Sequence, residues 1–275
     1  MLPPIARNFV AGETQGAAMD HVDDLNDRGV GGILNLLGEH YDDRADADAD
    51  TQAYVDLVTA LADRDTRSCI SVKPSQIGLD IGEDVFRENL ARIVEAADCL
   101  VWIDMEDHTT TDVTLDAFEH HARETDGNVG VCVQANLKRT REDLERLADL
   151  PGKVRLVKGA YDEPKEIAYK KKAEVDEAYR EYLEYMFEHF EDGIAVGSHD
   201  PEMISLAADL HAEYGTPYEV QMLMGVREDE QTRLAPDVDV YQYIPYGEKW
   251  FSYFYRRVRE RKSNALFALR AVVGI

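Results

Sequence analysis

The chain has 275 residues, with 55 Asp and Glu against 30 Lys and Arg and a formal charge of −25, which excludes a basic nucleic-acid binder working by phosphate neutralisation. An apolar fraction of 44 % can fill a substantial core, yet no uncharged apolar run approaches the roughly 18–20 residues of a membrane-spanning helix. The length suits a single (β/α)8 barrel, which takes about 250 residues.

The spacing of Ala17, Ala18, Val22 and Leu25 predicts a helix over about 13–28. Eight short apolar runs follow, at 32–37, 69–72, 99–103, 129–133, 154–157, 193–196, 218–223 and 238–244. Each is succeeded by a helical pattern, at 46–64, 83–97, 114–126, 141–150, 163–190, 200–214, 227–235 and 248–273. In 83–97, for example, Val85, Leu90, Ile93, Val94 and Ala97 share one face. Thr140 to Asp143, and Asp200 with Pro201 as first helical residue, read as helix starts. Strand followed by helix, repeated in this way, predicts an α/β fold: a TIM-like (β/α)8 barrel forming one domain over 1–275, with the final helix lying across its mouth. A doubly wound sheet lacks its fingerprint, because the glycines of 29–32 precede a strand instead of following one.

The acidic residues are dispersed, as in Asp42-Asp43, the run 45–50 and Asp237-Val-Asp239. That pattern fits a surface adapted to concentrated salt, where self-repulsion is screened, and so a halophile source. The N-terminus lacks a signal-peptide pattern, so a cytoplasmic location is expected. Cys69, Cys99 and Cys132 are odd in number and lie in apolar contexts, which suits buried free thiols.

In a barrel the chemistry sits at the C-terminal strand ends. Here these carry Lys73, Asp104 and Glu106, Gln134 and Asn136, Lys158 to Tyr161, Ser198 to Asp200, Gln221 and Met222, and Tyr243 with Tyr246. An inward Lys73 beside Asp104 could form a buried ion pair, bind an anion or form a Schiff base. Asp104, Glu106 and His108 stand at period-two spacing, as for ligands on one strand face, with His199 and Asp200 as further candidates. No other His-x-His or Asp-x-Asp pair stands at a strand end, so ligand type argues against a metal, and His199 reads as a hydrogen-bonding residue. Gly159 would let a ligand approach the backbone, and Arg155 with Lys158 brings positive charge suited to an anionic reduced cofactor. Arg256 and Arg257 could clamp a carboxylate if their helix crosses the mouth.

Together these motifs resemble the proline dehydrogenase family. The segments that carry the resemblance are Ser71-Val-Lys-Pro, Ile103-Asp-Met-Glu106, Gln134-Ala, Arg155-Leu-Val-Lys-Gly-Ala-Tyr161 with Glu163-Pro, Ser198-His-Asp200, Glu219-Val-Gln-Met-Leu223 with Gly225, Tyr243-Ile-Pro-Tyr-Gly247, and Arg256-Arg-Val-Arg-Glu260 with Asn264. They run in family order over about 30–265. The resemblance implies FAD-dependent oxidation of L-proline to Δ1-pyrroline-5-carboxylate, hydride passing to the flavin N5 and electrons on to a quinone. It implies that Arg256, Arg257 and Lys73 bind the proline carboxylate, that Tyr243 and Leu223 wall the ring, and that Asp104 pairs with Lys73. It places Arg155 near the flavin N5, Met105 and Gln134 against the ring system, and Lys158, Gly159, Ala160, Ser198 and His199 on the rest of FAD. Tyr161 completes the pocket wall, and Glu260 orients an arginine. Ser198 stands where the family usually has Thr, Asn136 where an aromatic is common, and Pro74-Ser-Gln replaces a more apolar stretch.

The resemblance further implies a single-function form whose product goes to a separate pyrroline-5-carboxylate dehydrogenase, and a quinone partner reached by peripheral contact at the inner face of the membrane. Hydroxyproline is the alternative substrate. The rival chemistry is a Schiff-base lyase or aldolase with Lys158 as nucleophile and Asp104 as acid/base; the rival without chemistry is an acidic binding barrel, for which Arg155 and Arg256 would be dispensable.

Overall fold

The computed structural model describes residues 6–251 together with 253 and 255. Eight parallel strands close into a barrel in chain order: β1 Gly31–Leu36, β2 Ser68–Val72, β3 Val101–Ile103, β4 Val129–Gln134, β5 Lys153–Val157, β6 Ile194–Gly197, β7 Tyr218–Leu223 and β8 Asp239–Tyr246. Closure is made by β1 pairing with β8, from Gly31 opposite Tyr241 to Leu36 opposite Tyr246. The helices are α1 Gln15–Asn26, α2 Arg44–Ala62, α3 Glu83–Ala96, α4 Thr111–Glu124, α5 Thr140–Leu147, α6 Lys172–His189, α7 Pro201–Tyr214 and α8 Glu228–Leu234.

Period-two alternation sorts the strand residues into two cores. Outward residues such as Leu34, Ile70, Val101, Val131, Leu156 and Val220 join the large apolar cluster under the helices. Inward residues Ile33, Cys69, Trp102 and Ala195 form a separate cluster, with Tyr241 and Tyr243 against it. The three cysteines are free thiols, Cys69 and Cys132 buried and Cys99 partly so.

Trp102 fits inside only because β4 contributes no side chain opposite it. A Cβ at Gly130 would lie 2.5 Å from Trp102 Cε3. Gly130→Ala is therefore expected to destabilise the barrel by about 1–3 kcal/mol through overpacking, read as a lowered midpoint in chemical denaturation at constant salt.

Both predicted helix starts are found. Asp200 caps α7, its side chain accepting from Glu202 N at 3.1 Å, with Pro201 in the first turn. Thr140 is the first residue of α5, and its hydroxyl donates to the Gln134 carbonyl at 2.5 Å, anchoring the end of β4. The helix predicted over 163–190 begins only at Lys172. Residues 164–169 form a turn and a bridge in place of helix: Lys138 N donates to Ile167 O at 2.9 Å and Tyr169 N to Asn136 O at 2.8 Å, and Leu137 pairs with Ala168. Tertiary hydrogen bonds to the segment after β4 outweigh the local helical pattern there.

The segment before α1 lies at the mouth end of β8, where Ala11 N donates to Pro245 O and Gly247 N to Gly12 O, both at 2.9 Å. Ala6, Phe9 and Val10 pack there with Leu37 and Tyr253, and Trp250 leans on them. The final helix thus begins at the barrel mouth; Arg256, Arg257 and Glu260 lie outside the described residues. Among the described residues no helix is long and apolar enough to cross a membrane.

Candidate active site

Four strands deliver one knot of side chains to the mouth. Asp104, just past β3, accepts from Lys73 Nζ at 2.9 Å and Tyr243 Oη at 2.7 Å on Oδ2. Its Oδ1 accepts from Ser71 Oγ at 2.6 Å and from Arg155 Nη2. Lys73 Nζ also reaches Tyr243 Oη at 3.1 Å. The side chains of Lys73, Asp104 and Arg155 are 16 %, 15 % and 6 % exposed, so one carboxylate faces two largely desolvated cations and the knot carries a net positive charge. Arg155 stacks over Trp102, its guanidinium carbon 4.8 Å from the ring centroid. That stacking links the mouth to the interior that Gly130 keeps open.

Burial alone would raise the Asp104 carboxyl, but Lys73, Arg155 and the Ser71 hydroxyl outweigh it and hold it far below the usual carboxylate range. Burial would lower the Lys73 ammonium, and Asp104 overrides it, so Lys73 stays a cation. A permanently charged Lys73 is a poor Schiff-base nucleophile. Burial, then Asp104, pushes the Tyr243 phenol well above its ordinary value. Tyr243 is therefore a neutral donor at working pH, and Tyr243→Phe should lower catalytic efficiency about tenfold, the worth of one hydrogen bond to a charged group, without moving the basic limb of the pH–rate profile. Steady-state rates between about pH 6 and 10 check both halves.

The other predicted residues surround this knot in distinct ways. Met105 is buried beside Asp104. Gln134 Nε2 donates to Glu106 O at 2.8 Å, tying the ends of β3 and β4 together. Lys158 is engaged by Asp176 and Asp200 at 2.5 and 2.7 Å, so it bridges α6 and α7. Ser198 Oγ accepts from Asp200 N at 3.1 Å, and His199 Nε2 accepts from Leu223 N at 3.3 Å, which fixes His199 as a hydrogen-bonding residue joining β6 to β7. Ala160 and Tyr161 follow Gly159 on the same rim, Tyr161 half-buried. Gly159 has φ +102°, and a Cβ there would lie 2.1 Å from Asn136 Oδ1, so glycine is required on two counts.

Asp104, Glu106 and His108 do not share a face. The strand ends at Ile103, so the alternation that would align them stops there. Glu106 turns to Ser75, accepting from its N and Oγ at 2.7 Å, and His108 Nδ1 lies 2.5 Å from Glu163 Oε2. Ser71 opens a segment that carries the resemblance but has no role assigned from the sequence; it stands on β2 two residues before Lys73, which follows the strand, and both reach Asp104. Glu163, buried at the start of the long loop before α6, belongs to a segment that carries the resemblance, but its pairing with His108 had no signal in the sequence.

A profile of the family described as Proline dehydrogenase matches residues 18–270. The chain belongs to the proline dehydrogenase family. It is 33 % identical over 276 residues to Proline dehydrogenase 2 of Bacillus subtilis, covering 97 % of this chain and 90 % of that one. It is 36 % identical over 282 residues to Proline dehydrogenase of Deinococcus radiodurans, covering 98 % and 90 %. Among solved structures it is similar to proline utilization A (PutA) from Bdellovibrio bacteriovorus inactivated by N-propargylglycine, with a TM-score of 0.83 at 23 % identity. That match covers 92 % of this chain but 32 % of the PutA chain, so this proline dehydrogenase family barrel spans about a third of its length. PutA from Corynebacterium freiburgense is similar at TM-score 0.80. The barrel is thus shared with these structures, and the rim that carries the knot is the rim on which enzymes of this fold do their chemistry.

Proposed function

We propose that this chain is an FAD-dependent proline dehydrogenase, a single barrel domain that oxidises L-proline to Δ1-pyrroline-5-carboxylate. The observation that carries the reading is the Lys73–Asp104–Arg155–Tyr243 knot at the mouth of a barrel of this family. One feature of the rim beside it fits a flavin nucleotide: Asn136 Oδ1, packed against the Gly159 backbone, is buried with no hydrogen-bond donor among the described residues. Arg155, Met105 and Gln134 would face the ring system, and Lys158, Gly159, Ala160, Tyr161, Ser198 and His199 would hold the remainder. When bound, FAD supplies the hydride acceptor that no side chain can provide.

The chain's own residues bind and orient. Lys73 offers a fixed cation to the substrate carboxylate, with Arg256 and Arg257 as the bidentate clamp and Glu260 to orient an arginine. Tyr243 and Leu223 wall the substrate ring and exclude water. Asp104 holds Lys73 and Arg155 in position, so that charge developing during hydride removal meets a preorganised field and not mobile solvent. The amine must lose its proton before the hydride leaves, and Asp104, committed as an anion between two cations, is no acid for returning it.

Electrons leaving the enzyme would go to a quinone, with transient contact at the inner face of the membrane, and the product to a separate pyrroline-5-carboxylate dehydrogenase. Lys158 as a lyase nucleophile finds less support, because two carboxylates engage its amine. The test is the visible spectrum of the chain loaded with FAD in concentrated salt, as its acidic surface suggests, and given L-proline without oxygen. Bleaching of the flavin bands supports the reading; a flavin bleached by hydroxyproline alone moves the substrate, and trapping by borohydride in a protein that takes up no flavin overturns it.

A further inference from the structure

Below the knot, the barrel axis holds a second row of polar side chains. Arg155 Nη1 donates to Gln221 Oε1 at 2.9 Å, and Gln221 Nε2 donates to Glu219 Oε1 at 2.6 Å. Glu219 is in turn paired with Lys153. All three of Arg155, Gln221 and Glu219 are buried, and Lys153 and Glu219 end the row at a cavity of about 810 Å³ on the N-terminal face. The row crosses from β5 to β7 over β6, whose inward residues are small: Ala195 stands between Arg155 and Glu219 in register, and Gly197 between Val157 and Gln221. A Cβ on Gly197 would come within 3.2 Å of Arg155 Cγ.

The row has a direction. A guanidinium has only donors, so Gln221 must turn its oxygen toward Arg155. A carboxylate only accepts, so Glu219 makes that the one amide orientation with both bonds satisfied. A flipped amide would set its NH2 against the guanidinium and its oxygen against Glu219. Asp104 holds the other nitrogen, Nη2. The plane of Arg155 is thus set from both ends, by Asp104 above and by Glu219 through Gln221 below.

We infer that Gln221 and Glu219 are positioning residues for Arg155, locking its guanidinium at the barrel mouth from the far end of the barrel axis. The inference deepens the proposed reading and rests on it for the statement that Arg155 faces the flavin. Neither residue touches substrate; each acts through the guanidinium alone.

The experiment compares Glu219→Gln, Gln221→Leu and the double variant with the parent, as full chains loaded with FAD. It reads the anaerobic rate of flavin reduction by proline, the proline KM, the flavin midpoint potential and the melting temperature. Each single variant should slow flavin reduction about tenfold through misplacement, keep the proline KM within about twofold, since ground-state binding is untouched, and make the flavin potential more negative as the guanidinium loosens. The double variant should be no slower than Gln221→Leu, because both act on one group. Gln221→Leu keeps its volume and leaves the Lys153–Glu219 pair intact, so it decides the matter if Glu219→Gln fails to fold. Unchanged rates and potential in folded Gln221→Leu, or losses that multiply in the double variant, would overturn the inference. If the parent itself is not reduced by proline, the proline reading fails separately, and the potential of Gln221→Leu against the parent still decides the positioning.

Discussion

Asp104→Ala is expected to lower proline-dependent flavin reduction by about 1000-fold, the scale on which preorganised electrostatic groups act, and to destabilise the chain. The carboxylate neutralises Lys73 and Arg155 and accepts from Ser71 and Tyr243 as well. Removing it leaves two buried cations facing each other with no counter-charge, and breaking a buried pair from one side costs about 3–5 kcal/mol. Asp104→Asn keeps an acceptor for Ser71 or Tyr243 and still loses the charge, so it should resemble alanine in rate while recovering part of the stability. The effect has a definite pH dependence. The Asp104 carboxyl lies below its unfolded value of about 3.9, so its stabilisation is fully present above that pH and is lost as the pH falls through it toward the folded value. Chemical denaturation of parent and Asp104→Asn should therefore show a gap at pH 7 that narrows in acid. Equal stability at pH 7 would mean that the knot does not hold the mouth together.

Arg155→Met should slow flavin reduction by about 100-fold or more while changing the proline KM far less, the pattern of an interaction made in the transition state and not in the ground state. On the proposed reading Lys73 would still meet the substrate carboxylate, so binding should survive. Arg155→Lys should recover little. An ammonium is a point charge and cannot span Asp104 and Gln221 while stacking on Trp102, as the planar guanidinium does. Rapid-mixing measurements of flavin bleaching against proline concentration separate the two parameters. A Lys variant with parental rates would show that charge alone, without geometry, is what the site needs.

Much of this protein was legible in its sequence. Alternation of apolar runs with helical patterns predicted eight strands and their helices, and the one helix that began late, at Lys172, failed because residues 164–169 bond to the loop after β4. Lys73 beside Asp104 was legible because a lysine closing an apolar run before a proline has few places to go but the mouth. Asp104, Glu106 and His108 looked like one face, and the strand's end at Ile103 scattered them. Thr140 read as a helix start and does begin α5; that its hydroxyl also tethers the Gln134 carbonyl was not legible.

What the sequence determined by itself was which residues are buried and on which side, because a period of two or 3.6 is written within a few consecutive positions. What only the tertiary structure decided was partnership across the closed barrel: that Arg155 stands between Asp104 and Gln221, that Gly130 yields its space to Trp102, and that Ala195 and Gly197 let β5 reach β7. Those pairings depend on strand register and closure, which bring together positions dozens of residues apart, and no local window of sequence carries that information.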